Sequence, residues 1–370
     1  MGEPNSKFWK DKPVLITGIT GFVGSWVSET LTSEKFGAKV YGLIRRQSNP
    51  NLTNIEHLLN DGKIELIRGD LHDVGSLINA LRQSRAEVVY HLAAQSFVPH
   101  SFASPVETYT TNVFGTINML EALRAVDKPA NKIKMLFAGS SEEYGLVIAD
   151  DIHYRKMLKR YGVILPAPKF DSKGNAVSEI PIKETNPLRT IGTSPYGSSK
   201  RLAEDVCRTY VSCFGMNVHI TRAFNHTGPR RGREFVTSEV TRQIIECIKG
   251  VRKEIVLGNL EAVRDFGDVR DVVKGYMLCV EKGISGEVYN LCSGKGMSIA
   301  ELVELATEVA MKKGLKKKIP VKVDQAKLRP TDLPILIGDY SKAKKMLGWE
   351  PKIPFEKTVQ DMIEFYGARV

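Results

Sequence analysis

Thr17-Gly18-Ile19-Thr20-Gly21-Phe22-Val23-Gly24 follows directly on the apolar run Val14-Leu15-Ile16. Glycines at this spacing predict a strand that turns sharply into a helix, leaving backbone N–H groups and a surface without Cβ atoms facing whatever binds there. A phosphate-bearing ligand suits such a cradle. A glycine-rich turn also arises from tight packing alone, so its surroundings decide. A helix-like stretch, Ser25 to Lys35, follows, and a second apolar run, Lys39 to Ile44, comes next, as a βαβ dinucleotide-binding unit requires.

The end of the second run reports on which dinucleotide. An acid there would serve the ribose hydroxyls of NAD, whereas a 2′-phosphate needs cations. The chain reads Gly42-Leu43-Ile44-Arg45-Arg46, two guanidinium groups able to fork onto phosphate oxygens. Arginine pairs at strand ends are often only solvated, but behind this loop they favour NADP, with NAD as the alternative.

At 370 residues the chain suits one large or two intimately joined domains, and 42% hydrophobic with 26% charged residues is ordinary for a soluble globular protein. The net charge of +11 raises the question of nucleic acid. The lysines are dispersed, however, and their densest run, Met311 to Lys318, reads as the solvated end of a helix. Nucleic acid is therefore not the expected partner, although a basic surface draws in anionic nucleotides. The five cysteines are scattered, without disulfide or metal-ligand spacing, so no metal is expected and a reducing cytoplasm fits. No apolar stretch reaches membrane-spanning length, and no membrane association is expected.

Further β-rich runs recur at Ile64–Leu71, Glu87–Ala94, Lys134–Ser141, Asn217–Asn225 and Glu287–Cys292, separated by helix-like stretches such as Asp73–Gln83 and Val106–Val126. Strand and helix alternate, which predicts a parallel sheet covered on both faces. Polar residues gather at the strand ends, where ligands of such sheets lie: Asp70, Gln95 and Ser96, Ser140 to Glu142, and Asn225. The alternation fails over Ile148–Thr190, a charged, proline-bearing segment expected to be a lid, a contact arm or disorder. The expected division is a dinucleotide-binding domain of residues 11–225 and 263–293, with an insertion at about 148–180, and a smaller mixed α/β substrate domain of residues 226–262 and 294–370.

In Ser194-Pro195-Tyr196-Gly197-Ser198-Ser199-Lys200 the proline suits a helix start, placing Tyr196 and Lys200 one turn apart on a common face. A phenol titrates near ~10, too high for a base at neutrality, so an ammonium group and a cationic nicotinamide beside it would help it take a hydroxyl proton.

At this point the chain resembles the extended short-chain dehydrogenase/reductases. The likeness rests on Thr17 to Gly24, Gly69-Asp70-Leu71, His91 to Ser96, Asn112 to Thr116, and Tyr196 with Lys200. It implies a doubly wound parallel sheet, the NAD(P)-binding Rossmann fold. Implied cofactor contacts are Gly18, Thr20, Gly21, Phe22, Val23 and Gly24 in the loop, Arg45 and Arg46 at the phosphate, Asp70 and Leu71 at the adenine, and Leu92, Ala93 and Ala94 beyond. Ser140, Tyr196 and Lys200 form the implied active site, Tyr196 and Lys200 also touching the cofactor.

More narrowly the chain is similar to the GDP-mannose 4,6-dehydratases and their relatives, the GDP-4-keto-6-deoxymannose reductases. Arg45-Arg46, Phe224 to His226, Pro229 to Thr237, Gly258 to Phe266 and Leu328 to Asp332 carry that likeness. It implies substrate contacts from Gln95, Ser96 and Asn225, from Arg230 and Arg231, and from Asn259, Arg264, Arg329 and Asp332, amides and cations that suit a GDP pyrophosphate. It also implies that Glu142 removes the C5 proton once C4 is a ketone. Ser140 stands where a threonine is usual, Gly21 to Gly24 is nearer the reductases, and 148–180 has no counterpart in either pattern. The expected activity is NADP-dependent conversion of GDP-mannose to GDP-4-keto-6-deoxymannose by internal hydride transfer, with a 4-keto reductase, a 4-epimerase and a silent dinucleotide sensor as alternatives. Because the segment matching Arg45 to Asn54 is a subunit contact in the dehydratases, a homodimer or homotetramer is expected.

Overall fold

Short apolar runs closed by turns set the centre of the molecule. The computed structural model describes residues 2–127, 132–313, 315, 318–328 and 333–368. Its strands are β1 Pro13–Thr17, β2 Lys39–Ile44, β3 Ile64–Arg68, β4 Val88–His91, β5 Lys134–Ser140, β6 Val218–Ala223, β7 Asn225–Thr227, β8 Ile255–Leu257, β9 Val263–Asp268, β10 Val288–Leu291, β11 Gly296–Ser298, β12 Val321–Val323 and β13 Ile335–Leu336. Seven form one sheet in the order β10-β6-β5-β4-β1-β2-β3, every neighbouring pair parallel.

Because side chains alternate along a strand, consecutive residues of β1 feed opposite cores. Val14 and Ile16 join Trp9, Tyr90, Leu136 and Tyr276 on one face, while Leu15 joins Val89, Phe137, Leu120 and Ala203 on the other. Both faces are dry, which is why these strands read as continuous apolar runs rather than alternating ones. Strand order reverses between β1 and β4, and the two loops leaving them diverge there to open a crevice beyond the strand ends.

The remaining strands form two smaller sheets. β9 pairs with β7 and β13 in parallel and with β11 antiparallel, and β8 pairs with β12. Helices Val236–Ile248, Ile299–Lys312 and Phe355–Gly367 pack a third cluster, including Ile244, Leu302, Val303 and Ile363, over this part. Ser298 and Glu301 close the middle helix with a reciprocal capping box. Among the described residues no helix is long and apolar enough to cross a membrane.

Two stretches depart from expectation. Val106–Val126 is not one helix: Pro105–Tyr109 gives way to a π-helical turn over Thr110–Phe114 before the helix resumes at Gly115. The widened turn turns Asn112 toward the crevice loops. The irregular segment contains an 11-residue helix, Asp151–Tyr161, capped by the Asp150 carboxylate on His153 N. Its face of Tyr154, Met157, Leu158 and Tyr161, spaced i, i+3, i+4 and i+7, packs on a small private core with Leu146, Ile148 and Ile164, a two-turn stripe among charged residues.

Candidate active site

Beyond the strand ends lies a cleft of about 1130 Å³, larger than a single drug-sized ligand site and roomy enough for two ligands side by side. Gly18, Thr20, Gly21, Phe22, Val23 and Gly24 form one wall. Helix Phe22–Leu31 starts there with Gly21 as its N-cap and no side chain covering its first amides, a ready anion site. The glycines are structurally required. A Cβ on Gly24 would lie 2.3 Å from Gly18 O, and one on Gly18, at φ +72°, would meet Ala93 N at 2.9 Å. The cradle thus keeps bare backbone toward the cleft and fits the pyrophosphate of a dinucleotide. Leu71, Leu92, Ala93 and Ala94 line the same space, as do Asp70 and Arg45. Arg45 is exposed, and no ion pair joins it to another of the described residues. Arg46, also exposed, does not line the cleft, so only one of the expected arginine pair faces it.

A buried polar chain fixes these loops. Leu92 N and Ala93 N both donate to Thr17 Oγ1, at 3.1 and 3.0 Å, so the Thr17 hydrogen is directed at His91 Nδ1, 3.2 Å away. Burial, with Lys200 nearby, lowers His91 to about 3 and keeps the ring neutral. The remaining ring hydrogen then lies on Nε2, 3.1 Å from Thr116 Oγ1, which passes its own to Asn112 O. Asn112 in turn accepts from Gln95 N and donates to Gln95 O and to Ser199 Oγ in the Tyr196 helix. Sequence reasoning quoted His91, Asn112 and Thr116 only as motif letters; their work is to lock β1, β4 and the π turn together.

Helix Pro195–Phe214 carries Tyr196 and Lys200, with Ser194 as a side-chain cap on Gly197 N. Gly197 lets this helix approach Glu142 closely, since a Cβ there would lie 2.7 Å from Glu142 O and 2.4 Å from Thr193 Oγ1. Ser140 ends β5 and caps the 3-10 turn Ser141–Tyr144, its hydroxyl accepting from Glu142 N at 3.2 Å. Ser140, Glu142, Tyr196 and Lys200 all line the cleft. Burial pushes the Tyr196 phenol up to about 12, with the Ser140 hydroxyl acting the other way and Glu142 adding to the rise. Burial brings the Lys200 ammonium down to about 8, opposed by Glu143, while Nζ donates to Ala138 O at 2.7 Å. Behind them the Arg222 guanidinium forks onto Glu204 at 2.8 and 2.6 Å and reaches Glu143, whose carboxyl accepts Ser140 N at 2.6 Å and is driven upward by burial. This buried cluster, absent from the sequence reading, anchors the end of β5.

The facing wall carries Ser96, Asn225, Arg231, Asn259 and Arg264. Arg231 lies flat on Phe235, 3.5 Å from its centroid, and its charge reaches Tyr196. Two of the expected contacts are placed differently from the rest. Gln95 lines the cleft, but its amide is consumed internally, accepting from Phe97 N at 2.6 Å and donating to Thr108 Oγ1 at 2.9 Å. Arg230 does not line the cleft; at φ +76° it turns onto the Trp26 ring and pairs with Glu29. Arg329 and Asp332 lie outside the described residues, although Lys327 and Leu328 just before them reach the cleft. Among the described residues no cluster of His, Cys, Asp or Glu could hold a metal ion.

Known proteins are similar to this chain across nearly its whole length. GDP-mannose 4,6 dehydratase 1 of Arabidopsis thaliana is 34% identical, covering 95% of this chain and 89% of the relative. The GDP-mannose 4,6-dehydratase of Vibrio cholerae is 32% identical, covering 95% and 92%. Among solved structures, RMD from Pseudomonas aeruginosa complexed with NADPH superposes with a TM-score of 0.73 at 26% identity, covering 97% of this chain and all of that one. The fold is the NAD(P)-binding Rossmann fold of the short-chain dehydrogenase/reductases. With residues 14–292 matching its model, this chain belongs to the NAD dependent epimerase/dehydratase family.

Proposed function

We infer that the protein is a 4,6-dehydratase acting on GDP-mannose, with NADP held in the glycine cradle. The observation that carries this reading is Glu142, placed beside Tyr196 in the cleft wall by a glycine that allows the contact, since a simple reductase has no task for a second proton acceptor there. The full-length likeness to two GDP-mannose dehydratases supports it. Bound along Gly18 to Gly24, NADP would take hydride from C4 of the hexose and return it at C6. Tyr196 accepts the C4 hydroxyl proton, with Ser140 bonded to its oxygen and Lys200 and Arg231 supplying positive charge. Glu142 takes the C5 proton made acidic by the C4 ketone and passes it to the departing C6 hydroxyl, which leaves as water, and a solvent-derived proton later returns to C5. Asn225, Asn259, Arg231 and Arg264 are assigned to the GDP-sugar, and residues 226–262 with 294–370 to its binding domain. Run in deuterated water, the enzyme should yield a 4-keto-6-deoxy product labelled at C5 with no net change in NADPH. Stoichiometric NADPH consumption without C5 label would mean a 4-keto reductase instead, and a C4 epimer without label an epimerase.

The cofactor preference rests on Arg45, exposed and facing the cleft. NADP should bind more tightly than NAD, and Arg45→Ala should narrow the gap by about 1–3 kcal/mol, the range for a charge-assisted contact. Equal affinities in the unmutated protein, read by fluorescence titration, would refute it. We assign the protein to the cytoplasm, as its five free thiols suit, and to a homodimer or homotetramer. A monomer in light scattering at micromolar concentration would count against the assembly.

A further inference from the structure

We propose that the 148–180 arm is a strut: locked to the core by the Arg189–Glu179 pair, it holds the turn that carries Glu142 and so aims the carboxylate at C5. The inference rests on the reading of Glu142 as the C5 base. No described residue of the arm lines the cleft, so any influence it has on chemistry passes through what it touches. Among its contacts is the Ser141–Ile148 segment. Leu146 and Ile148, three and five residues after Glu143, are the inner side of the arm's private core, against Met157, Ile164, Tyr154 and Tyr161.

The return of the arm is bonded to the Glu142 turn at three successive points. Arg189 N donates to Tyr144 O at 3.0 Å, Leu146 N to Ile191 O at 3.2 Å, and Thr193 Oγ1 to Glu142 O at 3.3 Å. Contact at the first point leaves no slack. Gly145 sits at φ +61°, and a Cβ there would lie 1.6 Å from Arg189 O. Arg189 is itself immobilised. Its guanidinium forks onto Glu179 at 2.7 and 2.6 Å and also donates to Pro166 O and Leu146 O, with side-chain exposure of 1% for Arg189 and 6% for Glu179. Partners for this fork come from the middle of the arm, from its far end and from the turn itself, so one side chain ties three segments together. A buried bidentate pair whose remaining donors are all satisfied specifies geometry more than it adds stability. Arg189 is thus a positioning residue rather than a catalytic one.

The test uses the full-length enzyme and two variants. Arg189→Lys keeps the charge but cannot hold Glu179, Pro166 O and Leu146 O in one plane. In the second, residues 151–174 are replaced by Gly-Gly, which the antiparallel bridge between Asp150 and Asn175 accommodates as a tight turn. Each should lower kcat about tenfold, leave KM and NADP affinity within about threefold, and raise the kinetic isotope effect measured with C5-deuterated GDP-mannose, because C5 abstraction alone becomes slow. A loss of kcat with the C5 isotope effect unchanged, or no loss in the shortened enzyme, would overturn the strut. A wild-type enzyme that puts no solvent deuterium at C5 would refute the reading of Glu142 itself, and is told apart from the first failure because it appears without any variant.

Discussion

Replacing Glu142 with glutamine is expected to slow conversion of GDP-mannose by about 10²-fold or more, the scale for losing a positioned general base. Glutamine fills the same space and keeps the backbone contacts of the turn, so Thr193 still donates to the residue 142 carbonyl and Ser140 still caps its N–H. The proton acceptor is lost, together with a negative charge that holds the Tyr196 phenol up. Oxidation at C4 precedes that need and depends on Tyr196, so the variant should still oxidise C4 in a single turnover, seen as absorbance of the reduced nicotinamide, while C5 deuterium entry falls with the overall rate. Retention of full C5 exchange in Glu142→Gln would place the base elsewhere. Loss of C4 oxidation together with C5 exchange would instead make Glu142 a structural part of the Tyr196 site.

The chain announces its cofactor half far more clearly than its substrate half, and the reason is physical. The cradle at Gly18, Gly21 and Gly24 is a local device, strand, turn and helix start within a dozen residues, and Gly18 and Gly24 are required by contacts inside that unit or its neighbour. Tyr196 and Lys200 likewise share one helical turn. Substrate contacts depend instead on which way a side chain leaves a loop. Arg230 and Arg231 are adjacent and alike in sequence, yet the positive φ of Arg230 sends it to Glu29 and Trp26 while Arg231 enters the cleft. Gln95 reads as a ligand contact until its amide is seen bracing Phe97 and Thr108. The helix inside the irregular segment was missed although Tyr154, Met157, Leu158 and Tyr161 recur at i, i+3, i+4 and i+7, because that stripe spans only two turns among charged residues and packs on a small satellite core. The cluster of Arg222, Glu204 and Glu143 was hidden because three charges scattered through the sequence are joined by the pairing of β5 with β6 and by the packing of helix Pro195–Phe214 against them.

Tyr196→Phe is expected to cost about 10²- to 10⁴-fold in turnover while NADP and GDP-mannose bind within a few-fold of wild type, since only the hydroxyl is removed from a ring that remains packed. The loss should extend to the C4 oxidation step, unlike that of Glu142→Gln. With its phenol at about 12, Tyr196 is ionised at pH 7 in roughly one molecule in 10⁵, so the protein alone does not hold a phenolate ready. Positive charge must bring it into range, and the groups at hand are Arg231, Lys200 and the cationic ring of bound NADP. Lys200 at about 8 keeps its charge below that pH and loses it above. Wild-type turnover should therefore rise with pH as Tyr196 nears ionisation and flatten or fall above about 8, where Lys200 gives up its proton. Lys200→Met, which keeps the stem without the charge, should remove the upper break and push the rising limb to higher pH. In Tyr196→Phe the rising limb should vanish along with most of the rate. A phenylalanine variant that retains the rising limb and activity within tenfold of wild type would show that another group takes the C4 proton.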